Sequence, residues 1–289
     1  MPKLTPMVFS LGSRINSSTI NRLLGWLWVI RVPPSLLGAG LFLLPMTGRY
    51  SAQSYFGALS VVMMMVLTFL INDSYDLQID RINAPYRPLP SGRVSREGVL
   101  RMVVVLSFLT AGLLFHLGWR ALVYGGVFCL CLISYSIVWK RIFFLKNIGV
   151  AGVYTSLLLY PALLMPGEVA SARYMLPTFL LLLSREIRMD IRDEKGDLAG
   201  GVITLASLLG WRKSSFLCSV LIGLFLAVSS VSFERLRDTL FGQVVFLFYV
   251  GLMLAGFLPT SSSRTLYYIV GEMEKGGMML SLLFMFVYR

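Results

Sequence analysis

Carboxylates, histidine and cysteine are all scarce in this chain. Of 289 residues only 14 are Asp or Glu, one is His and three are Cys. A lone histidine, His116, excludes a histidine-built zinc site and reads as structural or interfacial. Cys129, Cys131 and Cys218 lie inside apolar runs without metal-ligand spacing, so they read as small hydrophobes and not as a disulfide framework. Charge of either sign amounts to 14% of residues against 56% apolar, which excludes an ordinary soluble domain. The opening residues carry no small-residue cleavage site, and 1–22 read as a short cytoplasmic lead-in. A net charge of +12 raises the question of nucleic acid, but the basic residues are scattered through loops. Lipid headgroups and an anionic substrate are the expected partners instead, and no nucleic acid is expected.

What the chain does have is apolar runs. Stretches of about 20 residues, the length that spans a bilayer, can be placed nine times, near 23–45, 54–76, 98–118, 120–139, 147–165, 174–193, 214–233, 240–259 and 265–287. The last is the weakest, because GEMEKGG interrupts it with three charges. The connecting loops are short, so residues 1–289 are expected to form a single all-α, multi-pass membrane domain. Lys and Arg are unevenly divided between the two sets of loops. Twelve lie in the even-numbered loops, and five (Arg49, Arg120, Arg173, Arg235 and Arg237) in the odd-numbered ones. The positive-inside tendency then puts the even loops and the N-terminus in the cytoplasm.

Eight of the 14 carboxylates fall in two segments. Asp73, Asp76 and Asp80 in NDSYDLQID recur as Asp190, Asp193 and Asp197 in MDIRDEKGD, the same DxxDxxxD spacing displaced by 117 residues. At about 100° per residue, positions i, i+3 and i+7 share one helix face, so each triplet is expected to line one face at a cytoplasmic helix end. Facing carboxylates repel and take up protons unless a cation lies between them. Oxygen-only ligands select a hard ion, and Mg²⁺ is the usual one where phosphate completes the shell. A motif displacement of four spans suggests two parallel four-helix units and a ninth helix around a central cavity.

Cations gather on the same side. After the first motif comes PYRPLPSGRVSRE, whose Pro85, Pro88, Pro90 and Gly92 break any helix while keeping Arg87 and Arg93 near the acids. Lys140, Arg141 and Lys146 lie between the fourth and fifth runs, and Arg185 and Arg188 precede the second motif. Arg31 interrupts the first run. Acids for a metal and bases for phosphate oxygens, above an apolar cavity, describe a site for a metal-bound polyphosphate with an apolar tail. A divalent-cation transporter is the rival reading, but it would need polar groups along a continuous path across the bilayer.

NDSYDLQIDRINAPYRPLPSG resembles the first motif of the UbiA superfamily of intramembrane prenyltransferases, and REIRMDIRDEKGD resembles its second. YSIVWKRIFFLKN is similar to the family's stretch between helices four and five. Within the family, the wording of both motifs is similar to that of digeranylgeranylglyceryl phosphate synthases, with chlorophyll synthases next. Arg188 departs from the Lys common in the former.

The resemblance implies a nine-helix bundle whose central cavity opens to the cytoplasm. It also implies Mg²⁺-dependent transfer of a prenyl group from an isoprenyl diphosphate, ionised to an allylic carbocation, to a hydrophobic acceptor. That acceptor is a glycerol-phosphate ether lipid or an aromatic or quinone precursor; a terpene cyclase of the same type would need no separate acceptor. By position, Asn72 and Asp76 would hold one metal, with Asp73 and Asp80 completing that cluster, and Asp193 and Asp197 the other, with Asp190 nearby. Asp76, Asp80, Asp193 and Asp197 are accordingly the candidate catalytic residues. Arg31, Arg87, Lys140, Lys146 and Arg185 would bind the diphosphate, and Tyr135 and Tyr154 would face the acceptor or the cation.

Overall fold

The computed structural model describes residues 17–46, 50–143, 145–165, 172–233, 238–255 and 264–287, and these are almost entirely helical. In chain order they form α1 (Ser17–Val29), α2 (Val32–Leu43), α3 (Ala52–Tyr75), α4 (Leu77–Asn83), α5 (Arg96–His116) and α6 (Trp119–Ile137). They continue with α7 (Leu145–Thr155), α8 (Tyr160–Leu164), α9 (Ala172–Ala199), α10 (Leu205–Ser232), α11 (Leu240–Ala255) and α12 (Arg264–Val287). The nine apolar stretches are mostly helical in their described parts. Among the described residues, five helical stretches are long and apolar enough to cross a membrane: Ile20–Leu43, α3, α5, α6 and α10. Arg49, Arg235 and Arg237 lie outside the described residues.

Several expected continuous spans are broken for local reasons. The first divides at Arg31, because Pro33 and Pro34 have no amide hydrogens to extend a helix and instead occupy the opening turn of α2. Arg31 takes the left-handed conformation, φ 52 and ψ 52, which L-residues other than Asn and Asp rarely adopt. The fifth is split among α7, the short 3₁₀ turn Ser156–Leu158 and α8. The seventh starts earlier than expected, at Leu205, and kinks at Gly210, whose φ of 75 is open to glycine. Hydroxyl caps set other starts. Ser51 and Ser54 form a capping box on α3, Thr204 and Ser207 one on α10, and the Ser95 hydroxyl accepts from the Gly98 amide at the start of α5.

Two long helices organise the packing. α3 is wrapped by α2, α5 and α6, and α9 by α10, α7, α4 and α12. One core joins Leu181, Ile187, Ile222, Phe225 and Tyr249 around α9 and α10; another joins Phe42, Met64, Phe128 and Tyr160 around α3 and α6. Outward-facing apolar groups such as Phe108, Phe115 and Val231 are more than three-quarters exposed, a cost that hydrocarbon surroundings remove. His116, at the end of α5, lies edge-on to Phe56 with ring centroids 5.7 Å apart. Cys218 is buried in the core beside α9 and the other two cysteines are half-buried, all three free thiols.

Candidate active site

The C-terminal ends of α3 and α9 meet at one cavity of about 240 Å³, and both acidic segments line it. The two triplets are not equivalent, which departs from the expected matching faces. The second sits on one unbroken helix, and Asp190, Asp193 and Asp197 all line the cavity. The first is divided by a change of helix at Asp76, φ −84 and ψ 3, between α3 and α4. Asp76 and Asp80 line the cavity, but Asp73 turns away to an ion pair with Arg31, whose left-handed backbone sits between α1 and α2.

Every carboxylate of the two triplets has a cationic partner. Arg87 binds Asp80 at 2.7 Å, Lys140 binds Asp76 at 2.7 Å, and Arg192 binds its neighbour Asp193 at 2.6 Å. Lys146 is buried between Asp190 at 2.6 Å and Asp197 at 3.8 Å, and the Asn147 amide donates to Asp190 as well. Asn72 donates to Asp76 at 3.0 Å and accepts from the Ser136 hydroxyl at 3.0 Å, which orients its amide. Burial works against the charge on Arg87, in the loop after α4, but Asp80 and Asp73 more than offset it and hold the guanidinium above its ordinary pKa.

The lining changes character with depth. Moving back from the acids, α3 presents Thr68, Phe69 and Met65, α6 presents Tyr135 and Leu132, α7 presents Val150 and Tyr154, and α9 presents Leu182. A charged mouth therefore gives way, within one or two helical turns, to an apolar floor bearing the two expected tyrosines. The Arg31 guanidinium lies 4.9 Å from the Phe69 ring centroid, at the boundary.

The five cations expected to bind the diphosphate, Arg31, Arg87, Lys140, Lys146 and Arg185, line this cavity, whereas Arg93 does not and instead turns to the Tyr86 carbonyl and the Trp28 ring. Sequence reasoning missed Glu186, Arg192, Lys275, Asn83 and Ser136, which line it too. Glu186 was legible in principle, one helical turn before Asp190 on the same face. Lys275 was not, because it comes from α12, far along the chain.

An oxygen-only set suits a hard cation. Among the described residues no three acidic side chains are gathered closely enough to hold a metal by themselves.

Residues 31–271 match the UbiA prenyltransferase family. The chain belongs to that family. It is 36% identical over 168 residues to a digeranylgeranylglyceryl phosphate synthase of Saccharolobus solfataricus, an alignment covering 57% of this chain and 60% of that relative's length. Its fold is similar to a solved structure of digeranylgeranylglyceryl phosphate synthase in membranes, with a TM-score of 0.65 at 24% identity, covering 92% of this chain and 98% of the other. A UbiA homologue from Archaeoglobus fulgidus, solved bound to GPP and Mg²⁺, aligns with a TM-score of 0.60 at 17% identity over 92% of this chain and 99% of its own. These likenesses establish the UbiA fold for the chain.

Proposed function

We propose that this UbiA-family chain transfers a prenyl group from an isoprenyl diphosphate to a hydroxyl of a glycerol-phosphate ether lipid. The single observation that carries the reading is the convergence of both acidic motifs and five expected cations on one mouth above an apolar floor. The acceptor class rests on the synthase relatives. The excess of Lys and Arg in the even-numbered loops supports a mouth facing the cytoplasm.

The charge balance suits a swap of partners. Seven cations and six carboxylates line the cavity, and they are now paired largely with one another. A diphosphate arriving with divalent metal is itself close to neutral, so acids can turn to metal and bases to phosphate without leaving a charge buried alone. Asn72, Asp76 and Asp80 on one side and Asp190, Asp193 and Asp197 on the other would hold Mg²⁺. When bound, the metal neutralises the charge that develops on the departing diphosphate.

The chain's own residues do the remainder. Lys140, Lys146, Arg87, Arg31 and Arg185 donate hydrogen bonds to phosphate oxygens and stabilise the leaving group. The allylic C–O bond breaks with its electron pair left on the diphosphate. Tyr135 and Tyr154 present ring faces and hydroxyl oxygens to the allylic cation, and the apolar floor keeps water from quenching it. The acceptor oxygen then bonds to the allylic carbon, and its proton goes to the diphosphate. No nucleophile from the protein is required.

The apolar floor argues against a divalent-cation pore, which needs polar groups throughout its length. The test is incubation of the protein in vesicles with labelled geranylgeranyl diphosphate, with and without a geranylgeranyl glycerol phosphate acceptor. Label in the ether lipid only when acceptor is present supports transfer. Cyclic hydrocarbon formed without acceptor would replace transfer by cyclisation, and no diphosphate release under either condition would end the reading.

A further inference from the structure

The three charges that interrupt the last apolar run, Glu272, Glu274 and Lys275, are not absorbed by either acidic motif. The structure gives them two different fates. Glu274 is fully buried against α9, accepting from Arg188 Nε at 2.9 Å and from the Ser184 hydroxyl at 3.2 Å. Lys275, the next residue, lines the active-site cavity. One turn further along the same helix, Met278 and Met279 line it too.

Lys275 differs from the other cations there. Arg87, Lys140, Lys146, Arg185 and Arg192 each pair with a carboxylate that itself lines the cavity, and Arg31 pairs with Asp73 of the first motif. Among the described residues, Lys275 is the lining cation whose ion-pair partner belongs to neither motif. It binds Glu272 at 2.5 Å, an exposed residue on its own helix and outside the lining. A pair between a half-buried lysine and an exposed glutamate three residues before it on one helix is weak and readily exchanged. With Lys275 included, seven cations face six carboxylates in the lining, so the cavity carries one positive charge that its own acids do not balance.

The helix that carries Lys275 is held in place. Arg188 and Ser184 anchor α12 at Glu274, and at Gly277 a Cβ would come within 2.6 Å of Phe248, so the helix is pinned on both sides of Lys275. Positively charged groups above a stripe of Met278, Met279 and Leu182 make a second amphiphilic subsite, on the α9–α12 side of the cavity.

We propose that Lys275 of α12, with Arg192 of α9 in the same lining, binds the phosphate monoester head of the acceptor, while its chain lies along Met278 and Met279. This rests on the prenyl-transfer reading for the identity of the acceptor, but not for the existence of the subsite. Its purpose is selectivity. A lysine whose present partner is weak favours an amphiphile that brings its own dianion, and two separate cation groups keep donor diphosphate and acceptor phosphate from competing for one place.

The test reads binding and not turnover. The protein is placed in phosphatidylcholine vesicles, so that no anionic headgroup competes, and titrated with labelled geranylgeranyl glycerol phosphate, with its dephosphorylated alcohol, and with geranylgeranyl diphosphate plus Mg²⁺. Lys275→Gln should weaken the phosphate-bearing acceptor about tenfold, the loss expected of one charge-assisted contact. Lys275→Arg should restore most of the affinity, and the alcohol should bind wild type and variant alike. Donor affinity should stay within about twofold, which also shows the variant to be folded. Unchanged acceptor affinity in Lys275→Gln, or an equal loss for donor or alcohol, would overturn the proposal. Displacement of the acceptor by inorganic phosphate at equal concentration would reduce the site to a general phosphate pocket, which also overturns it. Intact, Lys275-dependent acceptor binding without any prenyl transfer would count against the reaction proposed above and leave the subsite standing.

Discussion

Asn83 clamps the second acidic motif with both ends of its amide. Nδ2 donates to the Asp193 carbonyl at 2.8 Å, and Oδ1 accepts from the Gly196 amide at 2.8 Å. The helices are so close that a Cβ on Gly196 would fall 2.4 Å from the Asn83 side chain. This clamp joins α4, which carries Asp80, to the stretch of α9 that carries Asp193 and Asp197, and so sets the distance between the two halves of the site.

Gly196→Ala therefore has an expected sign opposite to the usual one. In an ordinary helix interior the change stabilises by about 1 kcal/mol; here overpacking should destabilise by about 1–3 kcal/mol. Thermal unfolding in detergent checks the stability. Diphosphate release should fall together with it in both Gly196→Ala and Asn83→Ala.

Removal of divalent metal with EDTA should abolish diphosphate release, and added Mg²⁺ should restore it. Asp76→Ala and Asp193→Ala should each lower release by about 100-fold or more, as expected when stabilisation of leaving-group charge is lost. Asp73→Ala should behave differently, because Asp73 faces Arg31 and not the cavity. Its Mg²⁺ half-saturation should match wild type even if the rate drops. A rightward shift of that half-saturation would show Asp73 to be a metal ligand after all.

In the Arg188–Glu274 pair the arginine side chain is only 3% exposed and the glutamate is fully buried. Neutralising one partner alone, by Glu274→Gln or Arg188→Met, leaves a charge in a dry core and should cost about 3–5 kcal/mol. The double replacement Arg188→Met with Glu274→Leu should recover much of that. A double-mutant cycle on unfolding midpoints measures the coupling, and additive losses would mean the pair is not an energetic unit.

At Arg31, glycine and alanine separate backbone from side chain. Both remove the ion pair to Asp73, but only glycine accepts a φ of 52 without strain. Arg31→Gly should be more stable than Arg31→Ala by about 1 kcal/mol, with similarly weakened donor binding in both. Equal stabilities would mean that the chain refolds locally at this turn.

Much of the cavity's lining is legible in the sequence. The acid spacing, its recurrence at the ends of apolar runs and the nearby cations needed only helical periodicity and the cost of charge in hydrocarbon, both of which are local properties. The proline-rich loop after Asn83 ended its helix where its residues said it would. What periodicity could not see was the break at Asp76, because the backbone bonds continue across it from Asn72 to Asp76 and from Asp76 to Asp80, and the i, i+3, i+7 pattern looks intact.

By itself, then, the chain's order of residues determined an all-helical, apolar architecture and the two groups of carboxylates, since burial of apolar surface and helix geometry act over a few turns. Tertiary structure decided which carboxylates face the cavity and which, like Asp73, are taken by a distant arginine. It also decided that the charges of the last helix divide between a buried pair at Glu274 and a cavity lysine at Lys275. The reason is physical: ion pairing and close approach depend on which neighbour lies across the gap, and residues as far apart as Arg188 and Glu274, or Asn83 and Gly196, meet only once the bundle has closed.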